Sequence, residues 1–183
     1  MKCDLSIKQV FPNSCAIKCQ QIILRDYGID VSENELMDIA IPYGWFNYAL
    51  GMYMHDNGKL LGSFNIGYHH LQHNTVEDIV RELQQGHRVM VNVNADKLHE
   101  GPEVAFRHNE ASHAVLITMV RKADGRILFT DPMTGNIDET CPIDWFQNAW
   151  KDSACYMLAT DSPARFYYDP ATQSMKELST LSN

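Results

Sequence analysis

The chain has 183 residues, 45% of them apolar and 10% aromatic, enough for one core of ordinary size and too much for disorder. A formal charge of -8 with neutral histidines argues against a nucleic-acid binder, which carries a basic face, and against an anionic membrane surface as partner. No apolar run approaches the ~20 residues of a membrane helix, and the opening Met-Lys-Cys-Asp-Leu-Ser lacks the apolar stretch of a secretory signal. The chain as given is therefore expected to be cytoplasmic, unless a larger protein carries it elsewhere.

In chain order, the first ten residues read as extended. Pro12-Asn13-Ser14 is a turn that should cap a helix, with Asn13 or Ser14 accepting from the orphan N–H groups of the first turn. Ala16, Cys19, Gln20, Ile23 and Leu24 follow at helical spacing, and Gly28 is placed to close the helix in the left-handed region. Ser32 with Glu35 three residues on is a capping box for a second helix to about Ala40. Residues 41–62, rich in Gly, Tyr, Asn and Trp, read as a loop with a short helix around Ala49–Asn57. Phe64–His70 is a candidate strand. Thr75 caps a third helix through Gln85, with Val76, Ile79, Val80 and Leu83 on one face and Gly86 closing it.

After Gly86 the period changes. Arg88–Val93 and His113–Val120 alternate and are β-branched, and Arg126–Thr130 follows the turn Ala123-Asp124-Gly125, so the last two form a hairpin. Cys155–Thr160 and Arg165–Asp169 are shorter strand candidates. Helices come first and an antiparallel sheet second, which predicts an α+β architecture.

Five cysteines, Cys3, Cys15, Cys19, Cys141 and Cys155, are an odd number with no disulfide-framework spacing, so a reducing compartment and at least one free thiol are expected. Cys15 begins a helix, where the positive end of the backbone dipole favours a thiolate. Gln9, six positions earlier, can donate an amide N–H to a developing oxyanion together with the Cys15 backbone N–H. His113 opens one strand of the hairpin and Asp131 closes its partner, so a carboxylate can fix the histidine tautomer and support the imidazolium. Each residue alone is more simply structural: a packed thiol, a surface amide, a strand-start histidine and an Asp-Pro turn. Together they form a Cys–His–Asp set with an oxyanion donor. A zinc site built from Cys15, Cys19 and the group His69, His70 and His73 is the chemical rival, but it lacks a second closely spaced ligand pair. Cys19 reads more simply as core, and the three histidines as a polar loop.

The chain resembles the papain-like cysteine peptidases of the bacteriocin-processing, double-glycine type. The resemblance is carried by Gln9-Val-Phe-Pro-Asn-Ser-Cys15, Asp26-Tyr-Gly28, Gly86-His-Arg-Val-Met-Val-Asn-Val, His113-Ala-Val-Leu-Ile, Phe129-Thr-Asp131-Pro-Met-Thr-Gly135 and Phe146-Gln-Asn-Ala-Trp150. It spans about residues 5–160 of a single domain 1–183, leaving 161–183 as a C-terminal extension. It implies a papain-like α+β fold with N-terminal helices packed on a C-terminal antiparallel sheet, Cys15 as nucleophile, His113 as base, Asp131 as its orienter and Gln9 in the oxyanion hole. It implies no metal or organic cofactor and a peptide substrate cut after Gly-Gly. Family members that mature exported peptides are commonly fused to a transporter, which this chain does not carry, so a toxin or effector domain with a cognate immunity protein is the expected setting. Leader-peptide maturation and an inactive peptide-binding module are the alternatives. The aromatic segment Tyr43–Tyr53 has no counterpart in that pattern; Tyr43, Trp45, Phe46 and Tyr48 are candidates to narrow the cleft around glycine.

Overall fold

The computed structural model describes residues 5–101 and 110–178. No strand forms over residues 5–10, where an extended start was expected. The first helix, α1 (Cys15–Asp26), is buried at every position. Ser14 is its N-cap residue, but neither it nor Asn13 caps as predicted. The Ser14 hydroxyl is turned toward the Glu33 carboxylate at 2.6 Å and the Phe11 carbonyl at 2.7 Å, while the Asn13 amide reaches across to Tyr48 and Ala49. The C-terminus follows expectation. Gly28 has φ +82°, and the N–H groups of Gly28 and Ile29 return to the carbonyls of Arg25 and Leu24. The predicted capping box of α2 (Glu33–Ala40) also forms, Ser32 and Glu35 each bonding the other's backbone N–H.

The short helix expected around Ala49–Asn57 is instead a hairpin, β1 (Phe46–Asn47) and β2 (Gly51–Met52), followed by a 3-10 turn Met54–Asp56 and a short helix α3 (Lys59–Ser63). The Asn47 side chain accepts from Ala49 N–H at 2.8 Å, an Asx turn that competes with helix. Gly51 has φ +79°, which few other residues adopt cheaply. The next strand, β3 (Tyr68–Leu71), starts later than the predicted Phe64–His70, because residues 64–66 close α3 onto the Leu61 carbonyl with Asn65 at φ 61°.

Then come α4 (Val76–Gln84), capped by Thr75 and Asp78, β4 (Val89–Val93), α5 (Ala95–Glu100), β5 (His113–Arg121), β6 (Arg126–Asp131), β7 (Asn136–Pro142), α6 (Ile143–Trp150) and β8 (Met157–Thr160). The order β3-β8-β4-β5-β6-β7 makes one sheet whose neighbouring strands are all antiparallel. The strand expected at Arg165–Asp169 forms as β9 (Phe166–Asp169), but it pairs with β10 (Ser174–Glu177) as a separate ribbon.

Alternation along the strands divides the core. Met90, Ala114, Leu116 and Leu158 face α1 and α2, whereas Val89, Val91, Val93, Val115 and Ile117 face Ile79 of α4 and Phe146, Ala149 and Trp150 of α6. The expected packing of N-terminal helices on an antiparallel sheet is therefore present, with further helices covering the second face. Burial on both faces explains why β4 reads as a nearly continuous apolar run.

Candidate active site

Three elements converge at one end of the sheet. His113 is the first residue of β5 and Asp131 the last of β6, and the hairpin brings these ends together as predicted. His113 Nε2–H donates to Asp131 Oδ1 at 2.7 Å. The Met133 backbone N–H donates to the same oxygen at 2.7 Å and fixes the carboxylate in its own turn. Asp131 is fully buried and His113 is 4% exposed, so this pair works in a low dielectric, where a charge-assisted bond is strong.

Bonding through Nε2 leaves Nδ1 of His113 for Cys15. α1 lies across the start of β5: one turn after Cys15, the Cys19 thiol sits 3.5 Å from the Ala114 carbonyl, next to His113. Cys15, one turn earlier, is near enough to act on the His113 ring. Burial disfavours the charged imidazole, but the bond to Asp131, the bond to Cys15 and the charges of both partners more than compensate and raise its pKa to about 10. Burial likewise disfavours the Asp131 carboxylate, yet His113, His99 and the Met133 N–H hold it well below the usual carboxylate range. The arrangement favours a charged imidazole beside the Asp131 carboxylate.

The shifts at the other described thiols all run upward. Burial, reinforced by the nearby Cys15 and Asp131 charges, pushes Cys19 well above an ordinary thiol. Burial pushes Cys141 up to about 12 and also raises Cys155. Cys3 lies outside the described residues.

Gln9 sits on the same turn as the acid. Its backbone N–H donates to the Pro132 carbonyl at 2.8 Å, tying the segment before Cys15 to the residue after Asp131. Its side-chain Nε2 donates to the Phe11 carbonyl at 2.9 Å. A primary amide has two N–H groups, and the Phe11 bond uses one of them.

The loop between Gln9 and Cys15 is held by a residue that the sequence did not single out. Glu33, on the first turn of α2 and 2% exposed, accepts from Val10 N–H at 3.0 and 3.2 Å and from the Ser14 hydroxyl at 2.6 Å, with Lys18 Nζ of α1 at 3.8 Å. Beside Ser32 and Glu35 it looks like ordinary first-turn acid, and nothing in the sequence marks it as inward-facing. The aromatic segment also reaches this loop. Asn13 Nδ2 donates to the carbonyls of Tyr48 and Ala49 at 3.1 and 3.2 Å, and a Cβ on Gly51 would stand 2.8 Å from the Asn13 carbonyl. Tyr48 packs edge-on against both Phe11 and Phe46, whereas Tyr43 and Trp45 stack on each other and Lys59 lies over Trp45.

The zinc alternative is not assembled. Cys19 faces the core. His69 and His70 lie on β3 rather than in a loop, His69 on Asp161 and Glu82, His70 on the Tyr156 hydroxyl. Among the described residues, the only group with metal-like spacing is His99, His113 and Asp131. Its 2.7 Å His113–Asp131 separation is that of a hydrogen bond, which a metal ion would have to displace.

A model of the Peptidase_C39 like family matches residues 4–158. The chain belongs to the Peptidase C39-like family. Solved structures agree on the fold. A C39-like peptidase from Bacillus anthracis is 14% identical with a TM-score of 0.66, covering 88% of this chain and 96% of that one. The peptidase domain of Streptococcus ComA, a bifunctional ABC transporter of a quorum-sensing pathway, is 10% identical at TM-score 0.63, covering 86% and 97%. A double-glycine-motif protease from an AMS/PCAT transporter, in complex with its leader peptide, is 11% identical at TM-score 0.56, covering 85% and 89%. No curated protein matches by sequence. The papain-like α+β fold expected from the sequence is thus the fold of this C39-like chain, and the family is one of cysteine peptidases. No helix among its described residues is long and apolar enough to cross a membrane.

Proposed function

We propose that this C39-like protein is an active cysteine peptidase in which Cys15 attacks a peptide carbonyl, His113 shuttles the proton and Asp131 orients His113. The observation that carries the reading is the buried 2.7 Å bond from His113 Nε2 to Asp131, which leaves the other ring nitrogen for Cys15. The thiolate adds to the carbonyl carbon, and the oxyanion takes hydrogen bonds from the Cys15 backbone N–H and the second Gln9 amide N–H. As the C–N bond breaks, the His113 imidazolium protonates the departing amine. The neutral imidazole then takes a proton from water, whose oxygen attacks the thioester and frees Cys15. This sequence calls on no cofactor.

For the substrate, the reading is an extended segment cut after Gly-Gly. A neighbour in fold is a double-glycine protease bound to a leader peptide. The β1–β2 hairpin, packed against Phe11 and Asn13, is the wall that would suit residues without side chains. Further along the same edge a cavity of about 500 Å³ is lined by Tyr53, Met54, His70, Leu71, Gln72 and Tyr156. Neither Cys15 nor His113 lines it. Strand register supports its use by the same substrate: Leu71 pairs with Met157, Met157 with Val91, and Val91 with Val115, two residues along β5 from His113. Three inter-strand steps separate β3 from β5, roughly 14 Å, which suits apolar side chains upstream of the glycines.

A proteome-derived peptide library tests this. Enrichment of Gly at both positions before the cut supports it, and a large apolar residue at the second position overturns it. Leader maturation and an antibacterial effector held by an immunity protein would use the same site. Cytoplasmic expression in a bacterium separates them: arrest by the native chain and not by Cys15→Ala marks an effector, and normal growth marks maturation.

A further inference from the structure

The acid of the proposed triad has two oxygens, and Oδ1 is fully occupied by His113 and the Met133 N–H. Oδ2 is equally buried and has no aligned hydrogen bond among the described residues. One group stands against it: Nε2 of His99, at the end of α5, 2.9 Å away. The other nitrogen of that ring, Nδ1, lies 3.8 Å from Glu139 Oε2 of β7, and the ring packs edge-on to Phe129. Glu139 is itself held by the Asn136 amide at 3.0 Å and by the Thr134 hydroxyl. The charged groups facing His99 are thus Asp131 from β6 and Glu139 from β7, while Lys97 on its own helix is turned to Asp152 at 2.8 Å. Its side chain is 26% exposed, so it sits at the rim of the site rather than in the core.

A buried carboxylate oxygen without a donor is costly, and a carboxylate held on one oxygen only can rotate away from its histidine. His99 answers both problems. We propose that His99 is a positioning residue: it secures the free oxygen of Asp131, so that the other oxygen stays on His113 and the Cys15–His113 pair stays aligned. The proposal rests on the triad reading above and extends it to a line Glu139–His99–Asp131–His113–Cys15. His99 meets Asp131, Glu139 and Phe129, so its effect should show in His113 and in turnover, not in substrate affinity.

The test compares His99→Ala and His99→Gln with Asp131→Ala in the full chain. His113 is followed by NMR titration of its ring proton, and kcat and KM are measured on a Gly-Gly peptide. His99→Ala should lower the His113 midpoint by about one pH unit and cut kcat about tenfold, the low end for a hydrogen bond to a charged group, with KM unchanged. His99→Gln keeps an N–H near the position of Nε2 and should restore both. If His99→Ala does not fold, His99→Asn, whose shorter amide cannot reach, takes its place. A His113 midpoint unmoved by His99→Ala but lowered by Asp131→Ala overturns the role of His99 alone, as does a Gln variant no better than Ala. A midpoint that Asp131→Ala also fails to move sinks the triad reading itself.

Discussion

Removing the Asp131 carboxylate should discharge His113 at lower pH. In the native protein the imidazole is raised from its ordinary 6.5 to about 10, against a burial cost that is the largest single influence on it. The bond being lost joins a charged donor to a charged acceptor at 2.7 Å with both partners buried. Such bonds contribute about 1.5–3 kcal/mol, and one pKa unit corresponds to about 1.4 kcal/mol. Asp131→Ala should therefore lower the His113 midpoint by about 1–2 units, with Cys15 left alone to oppose the burial cost. Asp131→Asn should shift it less, because an amide oxygen still accepts from Nε2 and keeps the ring oriented. The sign for stability follows from the raised pKa. The pair's contribution is fully present below the unfolded imidazole value of 6.5 and is lost as pH rises through about 10. The assay is NMR titration of the His113 ring, assigned with His113→Gln, beside activity of the same variants. A native ring that titrates near its ordinary value, or a midpoint the alanine variant leaves in place, would refute the reasoning. Equal loss of activity in the Ala and Asn variants would mean that charge, not orientation, is the main contribution.

Three further outcomes are expected. Brief alkylation at about pH 6, well under the ~8.5 of a free thiol, should label Cys15 first among the described cysteines, since burial raises Cys19, Cys141 and Cys155 and only Cys15 faces the His113 cation; mass mapping led by Cys141 or Cys155 would count against the ion pair. Gln9→Ala should lower kcat on the order of 10²–10³ with KM little changed, and a pure affinity defect would move Gln9 to substrate binding. Glu33→Ala should cost about 3 kcal/mol of stability by removing a buried carboxylate from Val10 N–H, the Ser14 hydroxyl and Lys18; denaturant unfolding reads this, and an unchanged midpoint would show that the loop before Cys15 does not depend on it.

Much of this protein was legible before its structure. Gly28, the Ser32–Glu35 and Thr75 caps, the long periodic helices and the β5–β6 hairpin depend on interactions within a few residues, which spacing and residue type encode directly. The hairpin also placed His113 beside Asp131, because a register between adjacent strands is nearly local. What failed was decided at longer range. Ser14 forgoes its cap for a carboxylate nineteen residues away, and Asn13 for carbonyls thirty-five and thirty-six residues on. The polar edge strand β7 and the six-residue helix α5 have little period of their own and gain their form from neighbours.

The amino-acid sequence by itself determined the residue types of the site and most elements that carry them, since caps, turns and hydrophobic period act within one turn or one hairpin. Only the tertiary structure decided which polar groups face inward. Glu33 and His99 are ordinary helix residues in sequence, and each meets a buried partner solely because α2 and α5 are docked by packing from elsewhere in the chain. Docking is set by the sum of many apolar contacts, which no local pattern records.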